Sequence, residues 1–420
     1  MKWVVMGTDS RPRVVIIGGG FGGMAVAKGL RNAPVQITIL DRHNYFLFTP
    51  LLYQVATAGL SPANIAVPIR KMVRKYRNAE VLLSTVEGVD LSNRRVMTDL
   101  GTIDYDFVVI AAGSTSSFFG RDPWRPYVFE LKTLNDAVRI RNHVLNCFER
   151  AEAIDDRAEQ RRLMRIAIVG GGPTGVELAG AFAELARSAL KTDFDRIDPT
   201  SAEVILIEGG ERVLGTFAER LSQSALQSLR SLGVDVRLRQ RVTEIRDGFL
   251  EVGEERIEAA TVIWAAGVQA SDVAHSVDVV KDRAGRLSVD EHFRLAHHPH
   301  AFAIGDLAQY QDLPGIAPVA IQAGEHVAKV IRAVVDGQSA LPTFRYRDKG
   351  ILATIGRKHA VAQFGRKTFT GTFAWLLWLA VHVMVLADFR NRLVVLIEWF
   401  WAYVRYSPGA QIIVEPSSPE

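Results

Sequence analysis

The chain has 420 residues, too many for one ordinary core, with 48% hydrophobic and 23% charged residues and no low-complexity tract, so two or three globular domains are expected. Its formal charge of +4 arises from basic residues interleaved with nearly as many acids, which argues against a nucleic-acid stripe. A single cysteine, Cys147, excludes an intramolecular disulfide, a CxxC redox pair and a cysteine-rich zinc site.

Residues 1–11 read as a tail. They hold no apolar run of signal-peptide length and no Arg/Ser-rich amphipathic segment, so the bulk of the protein is expected to stay in the compartment where it is made. The next stretch is repeated. Arg13-Val-Val-Ile-Ile-Gly-Gly-Gly-Phe-Gly-Gly-Met has a twin in Arg165-Ile-Ala-Ile-Val-Gly-Gly-Gly-Pro-Thr-Gly-Val. Each is an apolar strand, a glycine turn and a helix start. The glycines fall in G-x-G-x-x-G spacing at Gly18, Gly20 and Gly23, and again at Gly170, Gly172 and Gly175. In such a device the first glycine makes the turn, the second lets a pyrophosphate approach the backbone, and the third lets helix and strand pack. The helix N-terminus then faces the phosphates.

Two further correspondences follow along the chain. A second strand, Val35 to Leu40, ends in Asp41, 21 residues beyond Gly20. Its counterpart, Glu203 to Ile207, ends in Glu208, 36 residues beyond Gly172. Both acids stand where a ribose diol is usually held. A third apolar run closes each copy, at Asp106 to Gly113 and Thr261 to Gly267; Gly20 to Gly113 is 93 residues and Gly172 to Gly267 is 95. The expected fold is therefore α/β, with two doubly wound Rossmann-type nucleotide-binding domains, the second inserted into the first. Ala301-Phe-Ala-Ile-Gly-Asp306 supplies the strand that returns the chain to the first domain.

Three other features are read more plainly. Cys147 lies in the helical-looking stretch 135–150 and reads as a packed thiol. His292, His297, His298 and His300 flank a turn at Pro299 just before the Ala301 strand and read as a solvated loop rather than a metal tract. Arg70, Lys71, Arg74, Lys75 and Arg77, with Arg357, Lys358, Arg366 and Lys367, suit anionic lipid heads if they lie near a membrane, and otherwise form solvated faces.

Near the C-terminus, residues 373–387 are apolar almost all round but number only 15, whereas a bilayer core of about 30 Å asks for about 20. A charged elbow, Asp388 to Arg392, follows. A second run from Leu393 to Val404 carries Trp399, Phe400, Trp401 and Tyr403 and is interrupted by Glu398. Two short aromatic-rich helices around a charged elbow fit an anchor lying in the membrane interface better than a span. The alternative is that they cover a dimer interface or the back of the first domain.

With these residues in view, the chain resembles the two-dinucleotide-binding-domain flavoproteins over about residues 12–335, and within them the type II NADH dehydrogenases, the single-subunit NADH:quinone oxidoreductases. Three segments carry the closer likeness: Asp41 to Gly59, Gly172 to Ala179, and Gly371 to Ile412. The resemblance implies non-covalent FAD held by Gly18, Gly20, Phe21, Gly22, Gly23, Asp41, Arg42, Val86, Ala112, Gly113, Gly305 and Asp306, with Thr49, Pro50 and Leu51 near the flavin ring. It implies NADH held by Gly170, Gly172, Pro173, Thr174, Gly175, Glu177, Glu208, Ala266 and Gly267, with Glu177 in the first turn of the second helix. It further implies hydride transfer from NADH to flavin N5, two-electron reduction of a membrane quinone without proton pumping, and a homodimer on the cytoplasmic face of the cell membrane. The matching domains are 12–125 and 273–345 for FAD, 126–272 for NADH, and 346–420 for membrane anchoring or dimerisation.

One departure stands out. Where these dehydrogenases often carry A-Q-x-A-x-Q-x-G, this chain has Ala317-Pro-Val-Ala-Ile-Gln-Ala-Gly324. Gln322 is kept; Pro318 replaces the first glutamine and offers no side-chain hydrogen bond. Pro318, Ile321 and Gln322 are the quinone-site candidates, and Glu177 and Gln322 the catalytic ones. Glu208 is expected to favour NADH over NADPH, a preference that Arg212 nearby would relax. Two rival readings share the nucleotide domains: a soluble reductase serving an iron-sulfur protein, and a non-catalytic redox sensor at the membrane.

Overall fold

The computed structural model of the chain describes residues 10–386, 389–405 and 411–414, with the side chains of 390–400 in the last helix. Residues 1–9, Asp388 of the expected elbow, and the side chains of Trp401 and Tyr403 lie outside the described residues. In chain order the strands that build the fold begin with β1 (Arg13–Ile17), β2 (Gln36–Asp41), β3 (Ala79–Leu83) and β4 (Phe107–Ile110). Then come β5 (Phe129–Glu130), β6 (Ile166–Val169), β7 (Val204–Glu208), β8 (Asp235–Leu238) and β9 (Thr261–Trp264). The chain returns through β10 (Arg294–Leu295) and β11 (His298–Ala303), and closes with β12 (Ile351–Ile355), β13 (His359–Phe364) and β14 (Lys367–Thr370). The helices that matter are α1 (Phe21–Leu30), α2 (Leu52–Ala56), α3 (Pro173–Glu184), α4 (Ala317–Val335), α5 (Gly371–Val385) and α6 (Phe389–Arg405).

The chain forms two compact units, one of residues up to 47, 67–115 and 268–348, the other of 48–66, 116–267 and 349 onward. The first holds a six-stranded sheet ordered β10-β11-β4-β1-β2-β3, parallel except for the β10 edge. The second holds a five-stranded parallel sheet ordered β5-β9-β6-β7-β8. The apolar runs become central strands because helices and further strands cover both sheet faces, so unbroken Val/Ile/Leu sequence is tolerated there. Val14, Val15 and Ile16 are fully buried.

The repeat is deeper than the glycine spacing suggests. In each unit a three-stranded antiparallel meander precedes the strand that closes the motif, residues 86–104 before β4 and 242–258 before β9. Val89 and Val96 of the first join a core with Val15, Leu40 and Val108. Ile245, Leu250 and Ile257 of the second join Ala167, Ile205 and Trp264.

Two expectations need correction. The strand expected from Ala301 begins at His298 and takes in Pro299, so His298 and His300 are strand residues. The region from 346 was read for helices alone, yet 351–370 form an antiparallel sheet, β12-β13-β14, turned at Gly356 and Gly365, both with positive φ. Cys147 is a buried thiol, its Sγ 3.5 Å from His143 Nε2.

Candidate active site

Both glycine turns are built alike. Gly18 and Gly170 sit at φ +104° and +114°, where a side chain is strained, and a Cβ on either would strike the backbone of Ala111 or Ala265. A Cβ on Gly23 or Gly175 would lie 1.9 or 1.8 Å from the carbonyl oxygen of Gly18 or Gly170, so helix and turn close only with glycine. Around the middle glycines, Gly20 and Gly172, there is nothing within 4 Å of a Cβ position. Those two N-cap positions open α1 and α3 without a side-chain cap. Bare helix starts beside open backbone fit a dinucleotide pyrophosphate in each unit.

The paired acids do more than await a ribose. Asp41 accepts the Gly19 N–H at 2.7 Å through Oδ2 and the His43 N–H at 2.7 Å through Oδ1. Glu208 does the same one repeat later, accepting Gly171 N–H and Gly210 N–H, each at 2.6 Å. Each carboxylate therefore ties its own glycine turn to the end of the neighbouring strand. Arg212 donates to the Gly215 carbonyl at 3.0 Å.

In the first unit, Ala112 and Gly113 follow the end of β4, Val86 opens the meander, and Arg42 is exposed. Phe21 meets Phe46 edge-on at 5.0 Å. Gly305 has positive φ, and Asp306 Oδ2 accepts the Ser114 hydroxyl at 3.0 Å. Pro318 lies in the first turn of α4, where an absent N–H costs no helical bond. Ile321 is half-buried beside Gln322. The Gln322 amide donates to the carbonyls of Pro318 and Arg347 at 3.2 and 3.0 Å and accepts the Arg347 N–H at 3.0 Å. It clasps the segment leaving α4.

The second unit gathers Gly170, Gly172, Pro173, Thr174, Gly175, Glu177, Glu208, Ala266 and Gly267, and also the stretch Thr49, Pro50 and Leu51, a short 3-10 turn leading into α2. α3 packs against both α2 and β12. Glu177 stands just past the first turn of α3, which carries no acid, rather than within it as expected; its flank is partly exposed, but its carboxyl end lies deep among protein atoms, and that depth governs its ionisation. Burial pushes it up to about 8, offset in part by the Thr354 N–H of β12, which donates to Oε1 at 3.4 Å. Further along α3, burial likewise raises Glu184, although it accepts the Arg357 N–H at 2.7 Å. A carboxyl protonated at neutral pH can donate a proton or hold a polar ligand group. Thr354 escaped the sequence reading because β12 did.

α5 and α6 are sided. Ala374, Trp378, Val395 and Trp399 turn inward. Phe373, Leu376 and Met384 of α5, and Leu393, Leu396, Ile397 and Phe400 of α6, are exposed. No helix among the described residues is long and apolar enough to cross a membrane.

The sequence matches the pyridine nucleotide-disulphide oxidoreductase family over residues 12–324 and the NDH2 C-terminal domain over 349–404. It is 39% identical to the type II NADH:quinone oxidoreductase Ndh of Mycobacterium tuberculosis, across 96% of this chain and 91% of that one. It is 27% identical to the type II NADH:quinone oxidoreductase of Staphylococcus haemolyticus, across 86% and 92%. Among solved structures, NDH2 of Plasmodium falciparum in complex with NADH superposes with a TM-score of 0.88 at 20% identity, covering 96% of this chain and all of that one. The repeated cradle and the C-terminal match place the chain in the pyridine nucleotide-disulphide oxidoreductase family, among the type II NADH:quinone oxidoreductases.

Proposed function

We propose that in NADH:quinone turnover by this chain the quinone-reducing half depends on the buried carboxyl of Glu177 as proton donor and orienting group. Bound FAD supplies the acceptor for the NADH hydride and the two electrons that reduce the quinone. The chain's own part is position and charge. Gly18, Gly20 and Gly23 with Asp41 hold the FAD pyrophosphate and adenosine ribose, and Gly170, Gly172 and Gly175 with Glu208 hold NADH. Quinone reduction consumes two protons, and Glu177 carries one at neutral pH. Its carboxyl, pushed up to about 8, is the observation that carries this reading.

Full-length Glu177→Gln is expected to lose turnover with a short-chain quinone by roughly 100-fold, the range in which removal of a general acid falls. Flavin reduction by NADH, followed in single turnover, is expected to persist. Unchanged NADH affinity together with unchanged quinone turnover would remove Glu177 from the mechanism.

The exposed apolar faces of α5 and α6 support attachment to one leaflet with the helices lying in the interface, and the resemblance is what assigns that leaflet to the cytoplasmic face of the cell membrane. Each Leu, Ile or Phe side chain withdrawn from water contributes about 1.5–3 kcal/mol. The same helices support a homodimer formed through part of that surface.

A further inference from the structure

A line of polar side chains, buried except for the half-buried Gln54, runs from α6 to the neighbourhood of Glu177, within the second unit. The Trp399 indole N–H donates to Gln54 Oε1 at 2.8 Å. The Gln54 amide donates to the Tyr53 hydroxyl at 3.0 Å, and the Tyr53 and Thr354 hydroxyls are 2.9 Å apart. The Thr354 N–H reaches Glu177 Oε1. Tyr53, Thr354 and Trp399 are buried, at 6%, 2% and 7% exposure. The Gln54 amide donates to the Tyr53 hydroxyl, and either hydroxyl of the Tyr53–Thr354 pair can supply the proton between them. Indole and amide groups do not relay protons, so this chain fixes geometry.

We propose that Tyr53 is a positioning residue for Glu177, and that the chain Trp399, Gln54, Tyr53, Thr354 passes the seating of α6 to that carboxyl. The inference rests on Glu177 being the group that serves quinone reduction. Three observations carry it. The line spans four elements of distant sequence, α6, α2, β12 and α3, each contributing a named bond. Its last link, at 3.4 Å, is at the long end of hydrogen bonding, so a shift of β12 by a few tenths of an ångström removes it. Finally, α6 has one face for each job: Asn391, Val395 and Trp399 point inward, with Asn391 donating to the Ala63 carbonyl at 3.2 Å, while Leu393, Leu396, Ile397 and Phe400 point out. Whatever engages the outward face sets how firmly Trp399 holds Gln54.

Other titratable groups around α3 are engaged elsewhere or exposed. Glu184 is held by Arg357, Glu208 by Gly171 and Gly210, and Arg187 by the carbonyl of Gly233 at 3.2 Å. Glu219, Arg220 and Arg230, on the helix Glu219–Ser231, are exposed. Tyr53 is the titratable residue that α2 brings against α3.

The test is an infrared pH titration of the full-length holoenzyme, without NADH or quinone, following the carbonyl band of the protonated carboxyl that Glu177→Gln abolishes. Tyr53→Phe and Thr354→Val are expected to raise its midpoint by about half a unit or more as the Thr354 N–H is released. Trp399→Phe is expected to move it in the same direction by less. Trp378→Phe, which thins the same aromatic cluster but takes no bond from the line because its indole N–H has no partner among the described residues, is expected to leave it in place. Thermal melts identify any variant that fails to fold, and Tyr53→Phe and Thr354→Val report independently. An unmoved midpoint in both folded variants overturns the positioning role. Equal shifts in Trp399→Phe and Trp378→Phe overturn the α6 arm. If Glu177→Gln leaves quinone turnover intact, the catalytic reading fails, while the titration still decides whether the line sets the carboxyl.

Discussion

Glu177 holds its proton up to about pH 8 in the folded protein, against an ordinary value of 4.5. Between those values the folded state binds a proton that the unfolded state has released, so stability falls as pH rises through this window and levels off above it. Glu177→Gln removes that slope. Urea midpoints of the two proteins are expected to converge near pH 4.5 and to separate towards pH 8, with the variant the more stable; parallel curves would show that the carboxyl is not buried. Glu208 makes a second case at this scale. Because its carboxylate holds both Gly171 and Gly210, Glu208→Ala is expected to weaken NADH binding more than loss of a ribose contact would, through a loosened turn. Glu208→Gln keeps one acceptor and is expected to relax discrimination against NADPH, read as the ratio of kcat/KM for the two nucleotides. The sequence placed Glu208 at its turn through spacing, and Glu177 near the start of its helix through resemblance. It was silent on the depth of Glu177, because the strand that covers it, β12, lies 177 residues away from it at Thr354. It was equally silent on Gln322, whose amide partner, Arg347, stands in a segment of no regular pattern.

At the scale of the element, the glycine turn separates binding from folding. A Cβ at Gly172 meets nothing, so Gly172→Ala is expected to melt within a few degrees of the wild type while NADH affinity falls about tenfold or more, as the phosphate is kept from the backbone. A Cβ at Gly175 would sit on the Gly170 carbonyl, so Gly175→Ala is expected to destabilise the unit itself by a margin visible in calorimetry. If both variants lost affinity with no difference in stability, the packing account of the third glycine would fail. These roles were legible because they follow from covalent geometry. The small antiparallel sheet at 351–370 was not, since its strands are short and lie between a helix and a strongly apolar run that dominates the pattern. Its two glycine turns, at Gly356 and Gly365, were the available signal.

Across the whole molecule, the duplicated architecture was readable because both copies keep nearly the same strand spacing, and each must solve the same phosphate problem. The meanders at 86–104 and 242–258 extend that duplication. They escaped notice because their sequences differ and only their place in the order is shared. The proposed membrane attachment rests on the outward faces of α5 and α6. Ile397→Glu with Phe400→Glu is expected to move full-length protein from the membrane pellet to the supernatant with little change in melting temperature, since both residues are exposed and make no part of the core. Retention in the pellet would locate attachment elsewhere, for instance at the basic residues around Arg70 and Arg74.

Those outward faces also act as a plate of oil on a charged body. In buffer without detergent or lipid, the plate of one molecule is the readiest cover for the plate of another. The particle size seen there includes every association through these faces, and the size that persists when micelles occupy the plate counts the subunits that other surfaces hold.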